Sequence, residues 1–381
     1  MPSPSSRHDA FAVCTPGLEQ LLEGELRRLG IRGRVGTGGV AFRATTRELY
    51  AANLWSRVAT RVVVRAARFE ARSFAELERA ARRVDWASWL GPGTRPVFRV
   101  SSRSSRLYHT GAIGQRLGAV AEHVTGHAPS GDATSEQLFV VRVRRDAFTI
   151  SVDSSGEALH RRGWRLATAK APLRETLAAA MLLATGWQPD RPLVDPFCGS
   201  GTIPIEAALL GTGRPPGADR AFAFQRWPSF APGTWASVLA SASRAEREAA
   251  KRCGTLVIVG RDRDAGAIEA ATANAERAGV AHHLDLQRAS ISELQPPAST
   301  PGWILTNPPY GKRIASGGDL RDLYARLGQV ARTLFAGWSI GLLVTDRRLA
   351  AQAAVPFEER IRSSNGALAV SLLTGELRTP G

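Results

Sequence analysis

Short apolar segments and helical segments alternate along the C-terminal part of the chain, and this alternation constrains the fold more than any other feature. Beyond residue 170, apolar runs of strand length are separated by longer stretches with helical spacing. The runs lie at residues 192–195, 256–262, 283–287, 302–306 and 339–345. Buried parallel strands joined by helices produce this pattern, so we predict a doubly wound α/β domain of Rossmann-like topology.

The first 155 residues follow a different pattern, in which strands and helices are mixed without regular alternation. An apolar strand and a leucine-rich helix come first, and a β-hairpin over residues 138–152 comes last. We therefore predict an α+β region here. Residues 211–250 are rich in glycine, proline and aromatic side chains and then become helical, which we interpret as an insertion near the first strand–helix unit of the C-terminal domain.

The charge of the chain is unusual and unevenly distributed. Fifty lysine and arginine residues against 34 aspartate and glutamate residues give a net charge of +16. Residues 1–168 contain 26 basic and 15 acidic residues, a net +11, so the N-terminal part holds most of the excess. A generally basic protein would show the same total, but such a surplus favours a polyanionic partner, with nucleic acid as the first expectation.

Cysteine usage and hydropathy bear on the compartment. Cys14, Cys198 and Cys253 are far apart and form no C-x-x-C pair, which argues against a disulfide framework and a zinc ribbon. The adjacent His282 and His283 lack other ligands nearby in sequence, so we expect no metal. We see no secretory signal and no apolar run near the roughly 20 residues that span a bilayer. A cytoplasmic protein without membrane contact is expected.

A glycine turn follows the strand at 192–195. In the sequence Asp-Pro-Phe-Cys-Gly-Ser-Gly-Thr at 195–202, Gly199 and Gly201 would let a ligand lie against the backbone. Neither the dinucleotide fingerprint G-x-G-x-x-G nor a phosphate P-loop is present. The next strand ends in Asp262, where an acid typically accepts hydrogen bonds from ribose hydroxyls. The pattern predicts a nucleoside without a pyrophosphate, and S-adenosylmethionine (SAM) fits that description.

A second motif, Asn-Pro-Pro-Tyr-Gly at 307–311, follows the strand at 302–306. Two consecutive prolines fix a rigid turn, which can aim the Asn307 side-chain oxygen and the Pro308 carbonyl at one point. Two such acceptors can hold the exocyclic amine of a nucleobase and favour a pyramidal form whose lone pair is free to attack. Tyr310 offers a face on which a flipped base can stack, worth roughly 1–3 kcal/mol. The loop therefore predicts methyl transfer to a base amine.

Together the two motifs resemble those of the SAM-dependent guanine-N2 RNA methyltransferases that carry a THUMP RNA-binding domain. The likeness is greatest to the bacterial members that act on 23S rRNA. Further segments that look like this family lie at residues 17–22, 54–57, 159–163 and 171–180. The resemblance implies a ferredoxin-like segment at 1–47, a THUMP domain at 48–155, a linker at 156–169 and a SAM-dependent methyltransferase domain at 170–381.

The resemblance also assigns cofactor contacts to single residues. The residues expected around the methionine part of SAM are Asp195, Phe197, Gly199 and Gly201. Asp262 is expected to bind the ribose. Ser290 stands at the best match to a position where the family usually has an aspartate against the adenine amine. A serine hydroxyl can accept the same hydrogen bond.

The residues expected to hold the guanine are Asn307, Pro308 and Tyr310. Candidate RNA contacts are the basic residues Arg99, Arg103, Arg106, Arg142, Arg144, Lys312 and Arg313. Arg174 and Glu175 are expected near the domain junction, and Glu206 is interpreted as an ordinary helical acid.

The leading hypothesis is methyl transfer from SAM to the exocyclic N2 of a guanine in structured RNA, with 23S rRNA as the substrate. The same chemistry on tRNA is the nearest alternative, because THUMP enzymes of both kinds exist. A DNA adenine-N6 methyltransferase would use a similar Asn-Pro-Pro-Tyr motif, although the THUMP-like half argues against it. An RNA-binding assembly factor with an inactive methyltransferase domain is the remaining alternative, and the intact motif argues against that.

Overall fold

The computed structural model describes residues 7–126, 135–166, 173–252, 254–310 and 320–378. Within these ranges the chain forms two seven-stranded sheets, one in each half. The N-terminal strands are β1 (His8–Val13), β2 (Gly33–Gly36), β3 (Gly39–Ala44), β4 (Arg61–Glu70), β5 (Thr94–Arg103), β6 (Ser135–Arg144) and β7 (Ala147–Asp153). The N-terminal helices are α1 (Glu19–Arg28), α2 (Thr46–Trp55), α3 (Phe74–Ala81) and α4 (Thr110–Thr125).

The N-terminal strands form one continuous sheet in the order β2-β3-β1-β4-β7-β6-β5. Only β5 and β6 pair in parallel, and every other pairing is antiparallel. The predicted α+β region and its hairpin, β6–β7, are confirmed. Since the sheet runs unbroken from β2 to β5, the segment at 1–47 and the region at 48–155 share one structural core, and the boundary between them stays a prediction.

The strands of the C-terminal sheet are β8 (Leu193–Asp195), β9 (Ile258–Asp262), β10 (Leu284–Arg288), β11 (Trp303–Thr306), β12 (Ser339–Val344), β13 (Glu358–Asn365) and β14 (Leu368–Glu376). Its helices are α5 (Glu175–Thr185), α6 (Thr202–Gly211), α7 (Pro232–Arg252), α8 (Ala265–Arg277), α9 (Leu320–Leu334) and α10 (Arg347–Ala351). The strand order is β10-β9-β8-β11-β12-β14-β13, with the first five parallel and β14 antiparallel to both neighbours.

The five predicted strands and the doubly wound arrangement are confirmed, whereas the antiparallel hairpin β13–β14 has no counterpart in the sequence prediction. Alternate residues of the central strands enter hydrophobic clusters on opposite faces of this sheet. On β11, Ile304 packs into one cluster and Leu305 into the other. Apolar side chains on both faces are what a parallel sheet covered by helices on both sides requires.

The segment that follows α6, including α7, joins the two halves. Its Phe224 ring stacks on Tyr50 of α2 with ring centroids 4.2 Å apart, and Trp227 meets Trp89 edge-to-face at 4.7 Å. The Trp227 indole also donates to the Gln137 side chain at 2.8 Å. Fully burying one such aromatic side chain contributes roughly 1.5–3 kcal/mol. The predicted insertion therefore fastens the N-terminal region to the C-terminal domain.

A buried charge cluster lies at the same junction. Glu206 on α6 has no exposed surface, and its carboxylate lies 3.2 Å from the Arg162 Nε and 3.8 Å from the Arg57 Nη1. Arg57 also donates to the carbonyls of Leu209 and Arg214 at 3.0 and 2.7 Å. The interpretation of Glu206 as an ordinary helical acid is wrong, because its partners come from distant parts of the chain.

None of the helices in the described ranges has the length and apolar character needed to cross a bilayer.

Candidate active site

The predicted site residues of the C-terminal domain meet at the edge formed by the carboxyl ends of the parallel strands. β8 lies between β9 and β11, and β10 follows β9. Asp195 and Asp262 are the last residues of β8 and β9, and Asn307 follows β11 directly. Ser290 lies two residues beyond β10, whose Arg288 pairs with Asp262. This edge is the position at which open α/β sheets bind their ligands.

The glycine turn requires glycine at two positions for different reasons. Gly199 and Gly201 have φ angles of +51° and +82°, in the left-handed region. A Cβ on Gly201 would lie 3.0 Å from the Ala271 side chain, so this glycine lets α8 approach the turn. A Cβ on Gly199 would meet nothing within 4 Å, so Gly199 faces open space. The turn therefore offers bare backbone toward the edge of the sheet.

Asp262 is oriented by the backbone of that turn. One carboxylate oxygen accepts a hydrogen bond from the Gly199 amide at 3.0 Å, and the other accepts from the Asp264 amide at 3.0 Å. Each oxygen keeps lone pairs for further donors. A fixed, half-buried carboxylate with spare acceptor capacity can bind two neighbouring hydroxyl groups.

Asp195 connects the glycine turn to the Asn-Pro-Pro-Tyr loop. Its carboxyl oxygen accepts hydrogen bonds from the Thr306 hydroxyl at 2.5 Å and from the Phe197 amide at 3.2 Å. Burial, with a smaller contribution from the negative charge of Asp262, raises the pKa of Asp195 to about 7. Thr306 immediately precedes Asn307, so the two predicted loops are held together by one hydrogen bond. No sequence pattern singled out Thr306.

The Asn-Pro-Pro-Tyr loop contains a buried acceptor. The Asn307 side-chain oxygen is shielded from solvent and has no hydrogen-bond partner among the described residues. Pro308 is buried beside it. The Tyr324 hydroxyl of α9 lies 3.5 Å from the Pro309 carbonyl and donates to it. Leaving a buried acceptor unpaired costs free energy, which marks Asn307 as a place where a ligand donor fits.

Tyr310 lies at the end of the same loop, and its ring is more enclosed than the sequence suggested. Only 5% of its surface is exposed. The Asn365 side chain, at the end of β13, donates to its hydroxyl at 3.5 Å. In the part of the chain that the structure describes, Tyr310 thus has almost no exposed surface for stacking. The unpredicted hairpin β13–β14 supplies this contact, and Asn365 is a site neighbour that sequence reasoning missed.

Ser290 occupies an exposed turn after β10. It begins a short 3₁₀ helix, Ile291–Glu293, and its backbone amide donates to the Glu293 carboxylate at 2.7 Å. The neighbouring Ala289 amide donates to the Asp262 carbonyl at 3.0 Å, which holds this turn against the end of β9. The Glu293 backbone amide donates to the Ser290 backbone carbonyl at 3.1 Å, and the Ser290 hydroxyl can accept a hydrogen bond from another donor.

This donor and acceptor set fits SAM. The molecule carries a ribose with two hydroxyls, an ammonium and a carboxylate, and the edge of the sheet offers two carboxyl groups and bare backbone at Gly199. Within the described residues, no group of three or more histidine, cysteine or acidic side chains forms a metal site. Cys198, in the turn, is buried, and burial raises its thiol pKa well above the ordinary value, as expected of a packing residue.

The predicted arginines of the N-terminal region come together on one face of their sheet. Residues paired directly across neighbouring strands point to the same side. The register gives three rows across β4, β7, β6 and β5, which we call the arginine face: Arg65, Ser151, Val140 and Arg99; Arg68, Thr149, Arg142 and Ser101; Glu70, Ala147, Arg144 and Arg103. The helix-packed core lies on the opposite side, through side chains such as Val141 and Ile150.

The arginines of this surface differ in whether they form ion pairs. Arg65 and Arg68 each form an ion pair with Asp9 at 3.2 Å. The exposed Arg99, Arg103, Arg142 and Arg144, and Arg106 just beyond β5, form no ion pair within the described parts of the chain. The predicted contacts Lys312 and Arg313 lie outside the described residues.

Comparisons with known proteins agree with this geometry. Residues 162–369 match a family model described as RMKL-like, methyltransferase domain, and residues 9–63 match one described as the RlmL ferredoxin-like domain. A Synechocystis protein proposed to be an RNA methyltransferase is 33% identical over 374 residues, covering 96% of each chain.

Two solved structures cover nearly the whole chain. One, described as a proposed methyltransferase in complex with S-adenosylhomocysteine (SAH), is 28% identical and superimposes with a TM-score of 0.85 over 99% of this chain and 100% of its own. The other, from Listeria monocytogenes, is described as a predicted N6-adenine-specific DNA methylase. It is 31% identical with a TM-score of 0.85 over 98% of this chain and 97% of its own.

Proposed function

Since the chain belongs to the RMKL-like methyltransferase family and takes SAM as its cofactor, we propose that it methylates the exocyclic N2 of a guanine in structured RNA. The observation that carries this proposal is the buried side-chain oxygen of Asn307 at the carboxyl end of β11, which has no hydrogen-bond partner among the described residues. This oxygen lacks a hydrogen-bond donor, and the amine of a base can supply one. The guanine N2 offers two N–H groups, of which one can bond Asn307 and the other the Pro308 carbonyl.

The chemistry requires little from charged side chains. Bound SAM supplies a methyl group made electrophilic by its sulfonium. Asn307 and Pro308 hold the amine so that its lone pair, rather than an N–H bond, points along the line of transfer. Fixed dipoles in a site that excludes water do not reorganise during reaction, and correct orientation removes much of the entropic barrier. The methylated nitrogen then loses its surplus proton to water as the product leaves the site.

The remaining site residues position the methyl donor. Asp262 accepts hydrogen bonds from the ribose hydroxyls, while Asp195 lies toward the ammonium of the methionine part. Gly199 and Gly201 give the backbone contact, and Phe197 covers the ligand. Ser290 is assigned to the adenine amine. Tyr310 borders the base, and stacking on its ring requires movement of the side chains that enclose it.

Recognition of RNA is assigned to the N-terminal region, with a THUMP domain at 48–155 and a linker leading to the methyltransferase domain at residue 170. The exposed arginines of the arginine face that form no ion pair in the described ranges support this, because phosphate neutralisation supplies most non-specific nucleic-acid affinity. Arg106 extends this surface. Lys312 and Arg313 directly follow the Asn-Pro-Pro-Tyr loop in sequence, and we assign them to phosphates near the target base.

We propose 23S rRNA as the substrate, on the resemblance to the bacterial enzymes of that kind and on the matched RlmL ferredoxin-like domain. The Listeria relative raises DNA adenine as a competing substrate. The Synechocystis relative and the arginine face favour RNA.

The test is a methylation assay with labelled SAM and three acceptors at matched salt. The acceptors are an unmodified 23S rRNA transcript, an unmodified tRNA transcript and duplex DNA, and the modified nucleoside is identified by mass spectrometry. We expect N2-methylguanosine in 23S rRNA. N2-methylguanosine confined to tRNA would overturn the rRNA assignment, and N6-methyladenine in DNA or no product with any acceptor would overturn the proposal.

A further inference from the structure

Arg165 is buried beside the glycine turn and makes contacts that no part of the proposed mechanism uses. Its side chain is 9% exposed. The Nη2 donates to the Thr202 hydroxyl at 2.6 Å and to the Leu173 carbonyl at 2.9 Å, while Nε lies 2.9 Å from a Glu175 carboxylate oxygen. Neither Nε nor Nη1 forms a hydrogen bond of good geometry among the described residues, although Nε stays ion-paired with Glu175. One arm of a buried guanidinium is therefore left without an acceptor.

A chain of hydrogen bonds holds the backbone at Arg165 against the turn. The Arg277 Nε donates to the Trp164 carbonyl at 2.8 Å, and its Nη2 donates to Asn274 at 2.5 Å. Asn274 in turn donates to the Ser200 carbonyl at 3.0 Å. The Arg165 guanidinium also lies over the Trp164 ring, 5.3 Å from its centroid. The position of Arg165 relative to the glycine turn is thus fixed from both sides.

The contact with Thr202 places this guanidinium at the start of α6. Thr202 is the first residue of that ten-residue helix, and its N-cap, Gly201, has no side chain to satisfy the terminal amides. Helix N-termini favour anions through their free N–H groups and the helix dipole. At the same place the Arg165 Nη1 is buried without a hydrogen bond among the described residues, which is an independent sign that an acceptor is missing, although Glu175 already pairs with this guanidinium.

We infer that Arg165 and the N-terminus of α6 bind the carboxylate of the methionine part of SAM. A single carboxylate is small enough for a site whose guanidinium is closed to solvent, whereas an RNA phosphate would need open access. The assignment leaves the ammonium to Asp195, so the two charged ends of the amino acid meet groups of opposite sign. It depends on SAM as the cofactor and is independent of which base is methylated.

The test compares two ligands that differ only in this carboxylate, using calorimetric titration of the full chain with SAH and with its decarboxylated analogue, which retains the amine. The wild type should prefer SAH by about 10- to 100-fold, as charge-assisted hydrogen bonds allow. In Arg165→Gln that preference should fall nearly to unity, and Arg165→Lys should retain part of it. The matched control is Arg161→Gln, because Arg161 is an exposed arginine of the same segment, and it should behave as the wild type.

The ratio of the two affinities separates binding from folding, because a purely structural loss weakens both ligands alike. Equal weakening in Arg165→Gln, or a wild type without preference, would overturn the inference. If Arg165→Gln binds neither ligand or unfolds, Arg165→Lys decides. A ratio in Arg165→Lys identical to that of the wild type, with equal loss for both ligands, would again contradict a carboxylate contact.

Discussion

The two seven-stranded sheets of this protein present different surfaces to their ligands. The N-terminal sheet is packed by helices on one side and carries the arginine face on the other. The C-terminal sheet is packed on both faces, and uncharged acceptors and two fixed carboxyl groups meet at its carboxyl edge. One sheet thus offers a broad charged area, and the other a narrow site with fixed geometry.

We expect this difference to separate RNA affinity from the methyl-transfer step. Contacts between arginine and phosphate act over a wide area and weaken steeply with salt. Hydrogen bonds from buried acceptors such as the Asn307 oxygen depend on distance and orientation and respond little to ionic strength. Substitutions in one sheet should therefore change RNA binding without changing the methyl-transfer step, and substitutions in the other should do the reverse.

The largest effect is expected at Asn307. Asn307→Ala removes the acceptor for the base amine, and the rate of methyl transfer should fall by about 1,000-fold, comparable to loss of a transition-state hydrogen bond. Affinities for SAM and RNA should stay within about twofold, since the side chain touches neither the ribose site nor the arginine face. Single-turnover rates and equilibrium titrations separate these quantities. An unchanged rate would remove Asn307 from the mechanism.

The next largest effect is expected at Asp262. Asp262→Ala should weaken SAM binding by about 10- to 100-fold, because hydrogen bonds to a charged acceptor are lost. RNA binding should be unaffected. Asp264→Ala is the matched control, since Asp264 caps α8 two residues away and its loss should lower stability by about 1 kcal/mol without a comparable loss of SAM affinity. Calorimetry measures the SAM affinity of both variants, and thermal unfolding measures their stability. Equal SAM affinities of Asp262→Ala and Asp264→Ala would refute the ribose contact.

A smaller effect is expected on the arginine face. The double variant Arg142→Gln/Arg144→Gln should weaken RNA binding about tenfold and reduce the slope of log affinity against log salt by roughly 1 to 2. The control Arg65→Gln/Arg68→Gln removes the same charge from arginines already paired with Asp9, so its effect should be smaller. Filter-binding titrations at several salt concentrations measure the slopes. Equal slopes for both double variants would show that Arg142 and Arg144 contribute no more to phosphate binding than Arg65 and Arg68 do.

The smallest effect concerns protonation of Asp195. Because its pKa is raised to about 7, the carboxyl is largely protonated in the free protein at pH 6. An ammonium bound beside it favours the carboxylate, so SAM binding should release a proton at pH 6 and strengthen as the pH rises to 8. Titrations in buffers of different ionisation enthalpy measure this release. In Asp195→Asn the number of protons released on SAM binding at pH 6 should fall by nearly one. An unchanged number would show that another group releases the proton.

The two loops of the candidate site could be located from the sequence, since each follows an apolar strand and contains residues with restricted backbones. The glycines of the turn and the two prolines after β11 encode their conformations locally. The topology rule for parallel sheets then brings Asp195, Asp262 and Asn307 to one edge. These parts of the site depend on short-range sequence and a general rule, and the structure places them as expected.

The parts that could not be predicted depend on distant contacts. One partner of the Tyr310 hydroxyl is Asn365, which lies 55 positions further along the chain on an antiparallel hairpin with no local signature of its pairing. The partners of Glu206 are equally distant in sequence, since its charge is balanced by Arg57 and Arg162. The sequence gives no signal at Arg165, because a single arginine after a tryptophan forms no motif. Its unpaired nitrogen is visible only in three dimensions.

The central claim is that the arginine face binds RNA while the edge beside Asn307 modifies a guanine amine. Base-resolved mapping of methylation in ribosomal RNA tests it most directly, in cells that have the protein, lack it, or carry Asn307→Ala. The account predicts one N2-methylguanosine in 23S rRNA that is present with the protein and absent in both other strains. An unchanged guanine pattern in all three strains would contradict it.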